Sequence, residues 1–561
     1  MLTAKQIVVS LRALSSVLLL LLSAQAQQRK RPAAPHAPPS SSSFEISGTL
    51  VNAITGEPVF HAKVEIGFSE KPSALQTTLS GPDGHFAFHN LSAAKYWLAA
   101  AGHGYMRQGL DEHDSYFTGV AVGPGQDTQN INFRLRPDGS ISGDITDNND
   151  EPVAGAQVML FRSSSEEGES QTVLGSQTST DDQGAYRFSH LTPGKYFVAV
   201  SAQPWYARTP NRELHAYVKA GNQAQAVAST VSTEQPADPL DVAYPVTFYP
   251  GVTDPGAASA IDLPPGDRDT ANISINAIPA VHLSFSHVSS EPGGGGGLVF
   301  QEMFGNAVIP VMFAQQNTDP SGQVEVSGVA PGHYVVADAA SAGKAWRKSI
   351  DVGGDAEIDS SGSSAALSIG GLVQLDGKPV PDAVVRLRNR ESAETFNTQT
   401  SATGDFAFEQ PNLTPGTYEV SVAYVPDAAA GSISATGAKV QGRTLQIAAA
   451  GEVHLTITMT KALGRVEGVA QRDGKPMGGA MVVLVPQQFE TNASLIRRDQ
   501  SDSDGTFTLP RVLPGKYTVV AIADGWSLEW LNPTVLGPYL KAGTPVEVAP
   551  GRKYSVKVKV Q

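Results

Sequence analysis

Apolar and polar side chains alternate along most of this chain, in short runs broken by glycine, proline, aspartate and asparagine. The clearest runs place two large residues one position apart: Phe86 and Phe88, Tyr186 and Phe188, Phe406 and Phe408, Phe507 and Leu509. That spacing predicts a strand with one buried face. Each pair follows a turn whose glycine supplies a positive φ, in PDGHF (82–86), DQGAY (182–186), ATGDF (402–406) and SDGTF (503–507). A second turn then recurs as apolar-x-Pro-Gly-x-Tyr, in LTPGKY (191–196), VAPGHY (329–334), LTPGTY (413–418) and VLPGKY (512–517). LSAAKY (91–96) is the same phrase with Ala93 and Ala94 in place of Pro-Gly. The tyrosine and its alternating successors start a return strand, so the two runs are expected to form a hairpin.

Upstream of each such pair stands another repeated phrase. It reads ISGTLVNAITGEPVFHAKVEI (46–66), ISGDITDNNDEPVAGAQVML (141–160), IGGLVQLDGKPVPDAVVRL (369–387) and VEGVAQRDGKPMGGAMVVL (466–484). Its small alanine (Ala62, Ala156, Ala383, Ala480) is expected where two backbones or sheets approach closely. Further alternating runs around a glycine turn close the units, at 120–135, 261–275, 445–459 and 546–560. Each unit thus offers about seven short strands in roughly a hundred residues, which suits a two-sheet antiparallel sandwich. The fold class is all-β, a tandem array of sandwiches at 44–136, 137–277 (with a long insertion), 278–362, 363–461 and 462–561. The third is degenerate, with Val324 and Val326 where the others have aromatics and a glycine run at 293–297.

Composition changes this picture in four places. The N-terminus carries Lys5 and Arg12, an apolar run at 13–22 and Ala24 and Ala26 in the A-x-A positions, which predicts an export signal cleaved after Ala26. Residues 27–43 are Pro/Ser-rich and read as a disordered linker. No other segment is long and apolar enough to span a bilayer, so the exported chain is expected in the periplasm, at the cell surface or outside the cell. The net charge of −14, with no basic stripe beyond 29–31, argues against a nucleic-acid partner. The absence of cysteine removes disulfides, thiol nucleophiles and Cys-based zinc sites together.

The two repeated phrases resemble the carboxypeptidase regulatory-like domain, and are similar also to the Cna B-type modules of bacterial surface proteins. The resemblance implies a prealbumin-like β-sandwich, within the wider set of folds grouped with carbohydrate-binding modules. The zinc catalytic domain that precedes it in the family's peptidases is not among these 561 residues. Some Cna B-type modules carry a Lys–Asn isopeptide bond, but no Lys, Asn and acid align across these units.

Candidate chemistry is sparse. Neither His-Glu-x-x-His nor Gly-x-Ser-x-Gly occurs, and Ser-x-x-Lys occurs only at 92–95 and 341–344, away from any expected helix. No catalytic residue, metal site or cofactor is assigned. The densest set of potential ligands, His103, Asp111, Glu112, His113 and Asp114, reads as a solvated acidic loop. DQSDSDG (499–505) lacks the first ligand of a calcium loop and has Arg511 where a bidentate carboxylate is needed, so it reads as a turn. The insertions after the return strands carry exposed-type aromatics instead. Trp205, Tyr206, Tyr244 and Tyr249 in the second unit, and Trp526, Trp530 and Tyr539 in the fifth, are the candidate ligand-binding residues. Such rings hold sugars against their faces, or they cap sandwich ends and pack between units. The expected function is therefore non-catalytic binding, with polysaccharide as partner. The alternative is a structural spacer or adhesive stalk of the cell envelope that binds other proteins.

Overall fold

The computed structural model describes residues 43–561 apart from 72, 127, 166–167, 209–237, 287–296, 319–322, 339–346, 360–366, 393 and 409–412. The expected export signal, most of the linker, the second Ser-x-x-Lys and most of the glycine run lie outside the described residues. From Phe44 to Gln561 the chain forms one compact unit, and nearly all its secondary structure is β-strand.

The first sandwich shows the plan. Strand Phe44–Asn52 pairs antiparallel with His85–Leu91 and parallel with Ile131–Leu135. Facing that sheet, Lys63–Phe68 lies between Gln76–Leu79 and Ala94–Gly102. Ile46, Leu50, Val64, Ile66, Phe86, Phe88, Leu98 and Phe133 fill the space between them. The fifth sandwich repeats the arrangement, with Gly464–Arg472 between Thr506–Val512 (antiparallel) and Lys553–Lys559 (parallel). The parallel pairing of first and last strands recurs in every sandwich. It arises because the last strand arrives after the chain has crossed to the other sheet and back, so it runs in the direction of the first. The pairing brings the backbones so close that a Cβ on Gly48 would lie 2.1 Å from the Ile131 carbonyl oxygen, and one on Gly468 2.0 Å from that of Val556. Glycine in the repeated phrase, rather than the alanine, marks the closest approach.

The structure corrects the expected hairpin. Strand His85–Leu91 pairs with Phe44–Asn52 in one sheet, whereas Ala94–Gly102 pairs with Lys63–Phe68 in the other. The Pro-Gly turn is therefore an arch that carries the chain between sheets. The tyrosine explains why the phrase is repeated. Its ring is buried at the start of the second strand, and its hydroxyl donates back to the carbonyl four residues earlier: Tyr96 to Ser92 (3.1 Å), Tyr196 to Thr192 (2.6 Å), Tyr334 to Ala330 (2.6 Å), Tyr418 to Thr414 (2.6 Å) and Tyr517 to Leu513 (2.9 Å). One side chain thus fills the core and satisfies a carbonyl that the arch takes out of both ladders.

The repeated alanine has a different job from the one expected. Its N–H donates to a buried hydroxyl: Ser80 for Ala62, Thr180 for Ala156, Thr400 for Ala383 (each 2.9 Å) and Ser501 for Ala480 (3.0 Å). Each hydroxyl donates in turn to the carbonyl three residues before the alanine, on Val59, Val153, Val380 and Met477. These hydroxyls stand four residues before the turn glycine in all four units.

Some of the described strands are buried on both faces, and two of them join one core to the next. Gln157–Ser164 turns Val158 and Leu160 into its own core, while Met159 and Phe161 enter a core shared with the third sandwich. There the Phe304 ring lies 5.3 Å from Phe161, 5.2 Å from Phe197 and 4.9 Å from Phe248. Met481–Pro486 likewise gives Val482 and Leu484 to its own core and Met481, Val483 and Val485 to a second cluster around Trp526 and Leu536. Leu536 belongs to the one α-helix among the described residues, Pro533–Lys541. Asn532 caps that helix by accepting the Thr534 N–H at 3.0 Å, and Pro533 occupies its first turn.

Candidate functional site

The first and fifth sandwiches, at opposite ends of the described chain, hold each other along a mixed polar and aromatic seam. The turn at 499–505 is central to it. Asp502 pairs with Lys95 and accepts the Gly119 N–H at 3.0 Å. Ser503 closes a two-way link, its hydroxyl accepting from the Ala121 N–H and its N–H donating to the Gly119 carbonyl, both at 2.9 Å. The buried amide of Gln500 donates to the Asp111 carbonyl (2.7 Å) and to Thr118 Oγ1 (2.8 Å). The two acidic clusters read from the sequence thus meet one another across this seam. Among the described residues no three His, Asp or Glu side chains are grouped so that they could hold a metal ion.

Burial sets the electrostatics here. It pushes the carboxyls of Asp111 and Asp502 above the ordinary aspartate range, against the pull of His113 on the first and of Lys95 on the second. Asp499 is pushed up to about 6, mainly by burial, although the Thr508 N–H opposes the shift. Asp111 and Asp502 hold the seam, while Asp499 braces the fifth sandwich by accepting the Thr508 N–H.

The aromatic half of the seam contains two of the candidate ligand residues. Trp526 is only 8% exposed. His113 stacks on it with centroids 5.1 Å apart and planes 7° from parallel, and Tyr116 lies at 5.3 Å. Arg498 sits 4.4 Å over the Trp530 ring and 5.2 Å over Tyr116, with Asp114 at 3.6 Å. Trp530 also packs over Gly168 of the second sandwich, beside the bond from the Leu531 N–H to the Gly168 carbonyl (2.9 Å). Tyr539, on the helix, packs beside the same cluster and accepts from Gln561 through its carbonyl. Trp526 and Trp530 thus lie where the fifth unit meets the first and second. Arg498 and Thr118 carry no mark in the sequence, while Lys95 and Gln500 fall inside motifs, Ser-x-x-Lys at 92–95 and the turn at 499–505, that point to other roles.

In the second sandwich Tyr244 is buried in the core, its phenol pushed up by burial and by Tyr206, and Tyr249 packs half-buried beside it. Trp205 stands apart from all the others at 85% exposed, its ring 5.8 Å from Tyr206 and perpendicular to it. Of the seven candidates it alone presents a free aromatic face.

Three stretches, 45–136, 140–233 and 368–460, match the model of the carboxypeptidase regulatory-like domain, a non-catalytic domain type. Residues 463–536 match that of the NOMO1-like second β-sandwich domain of the BOS complex subunit. No curated protein matches the chain. Solved structures similar to it include the Bacillus anthracis TIE protein, at 12% identity and TM-score 0.16, over 94% of this chain and 76% of that one. The Streptococcal ancillary pilin matches at 12% identity and TM-score 0.18, over 50% of this chain and 98% of that one. BcpA, the major pilin subunit of Bacillus cereus, matches at 9% identity and TM-score 0.14, over 75% and 99%. At these TM-scores the superpositions carry no argument. No helix among the described residues is long and apolar enough to cross a membrane.

Proposed function

We propose that this chain, three of whose modules are carboxypeptidase regulatory-like domains, is an exported, non-catalytic structural protein of the cell envelope that binds other envelope proteins through its loops. In this reading it is a spacer of fixed dimensions, folded back on itself, rather than a string of swinging beads. The observation that carries the reading is the seam between the first and fifth sandwiches, where Lys95, Gly119 and His113 meet Asp502, Ser503 and Trp526. A binding protein whose modules act separately has no use for tying its ends together at the cost of closing a long loop. Export rests on the leader at 1–26.

Small-angle scattering of the chain from Gln27 to Gln561 tests the proposal. The double variant Trp526→Ala, Asp502→Ala removes a buried ring worth roughly 3–5 kcal/mol and the ion pair beside it. It is expected to lengthen the particle by about one strand length, roughly 20 Å, with each sandwich still folded. Parent and variant of equal length would defeat the reading.

Carbohydrate binding is the second reading, favoured by one observation, the open face of Trp205. Saturable retention on a polysaccharide panel, lost in Trp205→Ala but kept in Tyr244→Phe, is its expected signature. Retention that ignores Trp205 would remove it.

A further inference from the structure

A cavity of about 470 Å³ opens where the second and third sandwiches meet. One wall is the segment after Tyr244, with Thr247 and Asp254; the other is supplied by the third sandwich, with Glu302, Met303, Pro331 and His333. Its size and its place between two domains are those of a small-molecule site.

Glu302 is the anomaly in this cavity. On strand Leu298–Phe304 the alternation puts it on the same face as Leu298, Phe300 and Phe304, all three buried. An acid therefore stands where the strand pattern calls for an apolar side chain. No hydrogen bond or ion pair from the described residues reaches its carboxylate, and burial alone pushes it up to about 7. A half-buried acid without a donor costs stability, and such groups gather at working sites.

The remaining lining narrows the ligand. Among the described residues it contains no Lys or Arg, and Asp254 adds a second acid whose Oδ1 already accepts the Gly256 N–H at 2.8 Å, so anions are disfavoured. No Trp, Tyr or Phe ring among the described residues lines it, so a sugar ring would find no aromatic face there. Ile278, Met303 and Pro331 offer an apolar body contact instead. His333 faces the same space, its Nδ1 2.7 Å from Asp351 and its Nε2 3.0 Å from the Ser349 hydroxyl. We propose that this cavity binds a small organic cation with an apolar body, its ammonium or guanidinium group paired with the Glu302 carboxylate.

The test is calorimetry of the chain from Gln27 to Gln561 with phenethylamine and, as the neutral counterpart, phenethyl alcohol. The amine is expected to bind at one site and the alcohol not to bind. Glu302→Gln should weaken the amine at least about tenfold, the ordinary worth of one charge-assisted hydrogen bond. Affinity in the parent should rise about tenfold from pH 6 to pH 8 as Glu302 ionises. The His333 and Asp351 pair, Asp254 and the Tyr334 phenol also face the region. His333→Gln should therefore keep the pH dependence, while Glu302→Gln should abolish it. If Glu302→Gln does not fold, the His333→Gln series decides alone. No binding of the amine, equal binding of the alcohol, or a pH dependence that vanishes with His333 would overturn the assignment.

Discussion

Tyr418 shows what a single residue does in this protein. Its ring is buried in the fourth core, and its hydroxyl reaches the Thr414 carbonyl at 2.6 Å. Tyr418→Phe keeps the ring and removes the hydroxyl, leaving a carbonyl unpaired at the arch. The expected loss is about 1–2 kcal/mol, read as a lower denaturant midpoint with an unchanged slope. An unchanged midpoint would mean that water serves the carbonyl equally well. The tyrosine was visible in the sequence as a repeated letter, yet its partner was not, because a bond back to a carbonyl leaves no mark on the residue that supplies the carbonyl. The same holds for Thr400 and its counterparts. They recur four positions before the turn glycine, but a hydroxyl before a turn is common enough to read as turn chemistry alone.

At the scale of elements, alternation identified the strands and glycine the turns between them. It could not say which strand pairs with which. A period of two tells which side chains face inward, and strands in either of two facing sheets satisfy it equally. Hence Ala94–Gly102 was expected beside His85–Leu91 and is found in the opposite sheet. The continuous apolar run of Met481–Pro486 belongs to a strand buried on both faces, which needs no polar side. The helix Pro533–Lys541 was missed because its nine residues hold one fully buried side chain, Leu536, and its strongest sign is the Asn-Pro at its start. The candidate site was legible only as a list of rings. Trp205 and Trp526 have the same chemistry, and only the fold leaves one 85% exposed and covers the other with His113.

Across the whole molecule, contacts tie distant sandwiches together. Arg388 of the fourth pairs with Glu169 of the second at 2.9 Å. The Arg443 N–H donates to the Thr491 carbonyl of the fifth at 2.8 Å, and Arg511 of the fifth reaches back to the Val425 carbonyl at 3.1 Å. With the seam between first and fifth, the order of units along the chain is no longer the order of their contacts. Loop-closure cost grows only slowly with length, so one seam of this kind can offset the closing of several hundred residues.

That seam makes the peptide link between the third and fourth sandwiches dispensable for cohesion. A protease site inserted between Asp359 and Leu367 and then cut should yield two polypeptides on a denaturing gel and a single particle on a sizing column. Separate elution of the halves would show that covalent continuity, rather than the grip between ends, keeps the assembly whole. If they stay together, the grip between the ends serves as a second fastening, and either it or the peptide link is enough to keep the halves in one particle.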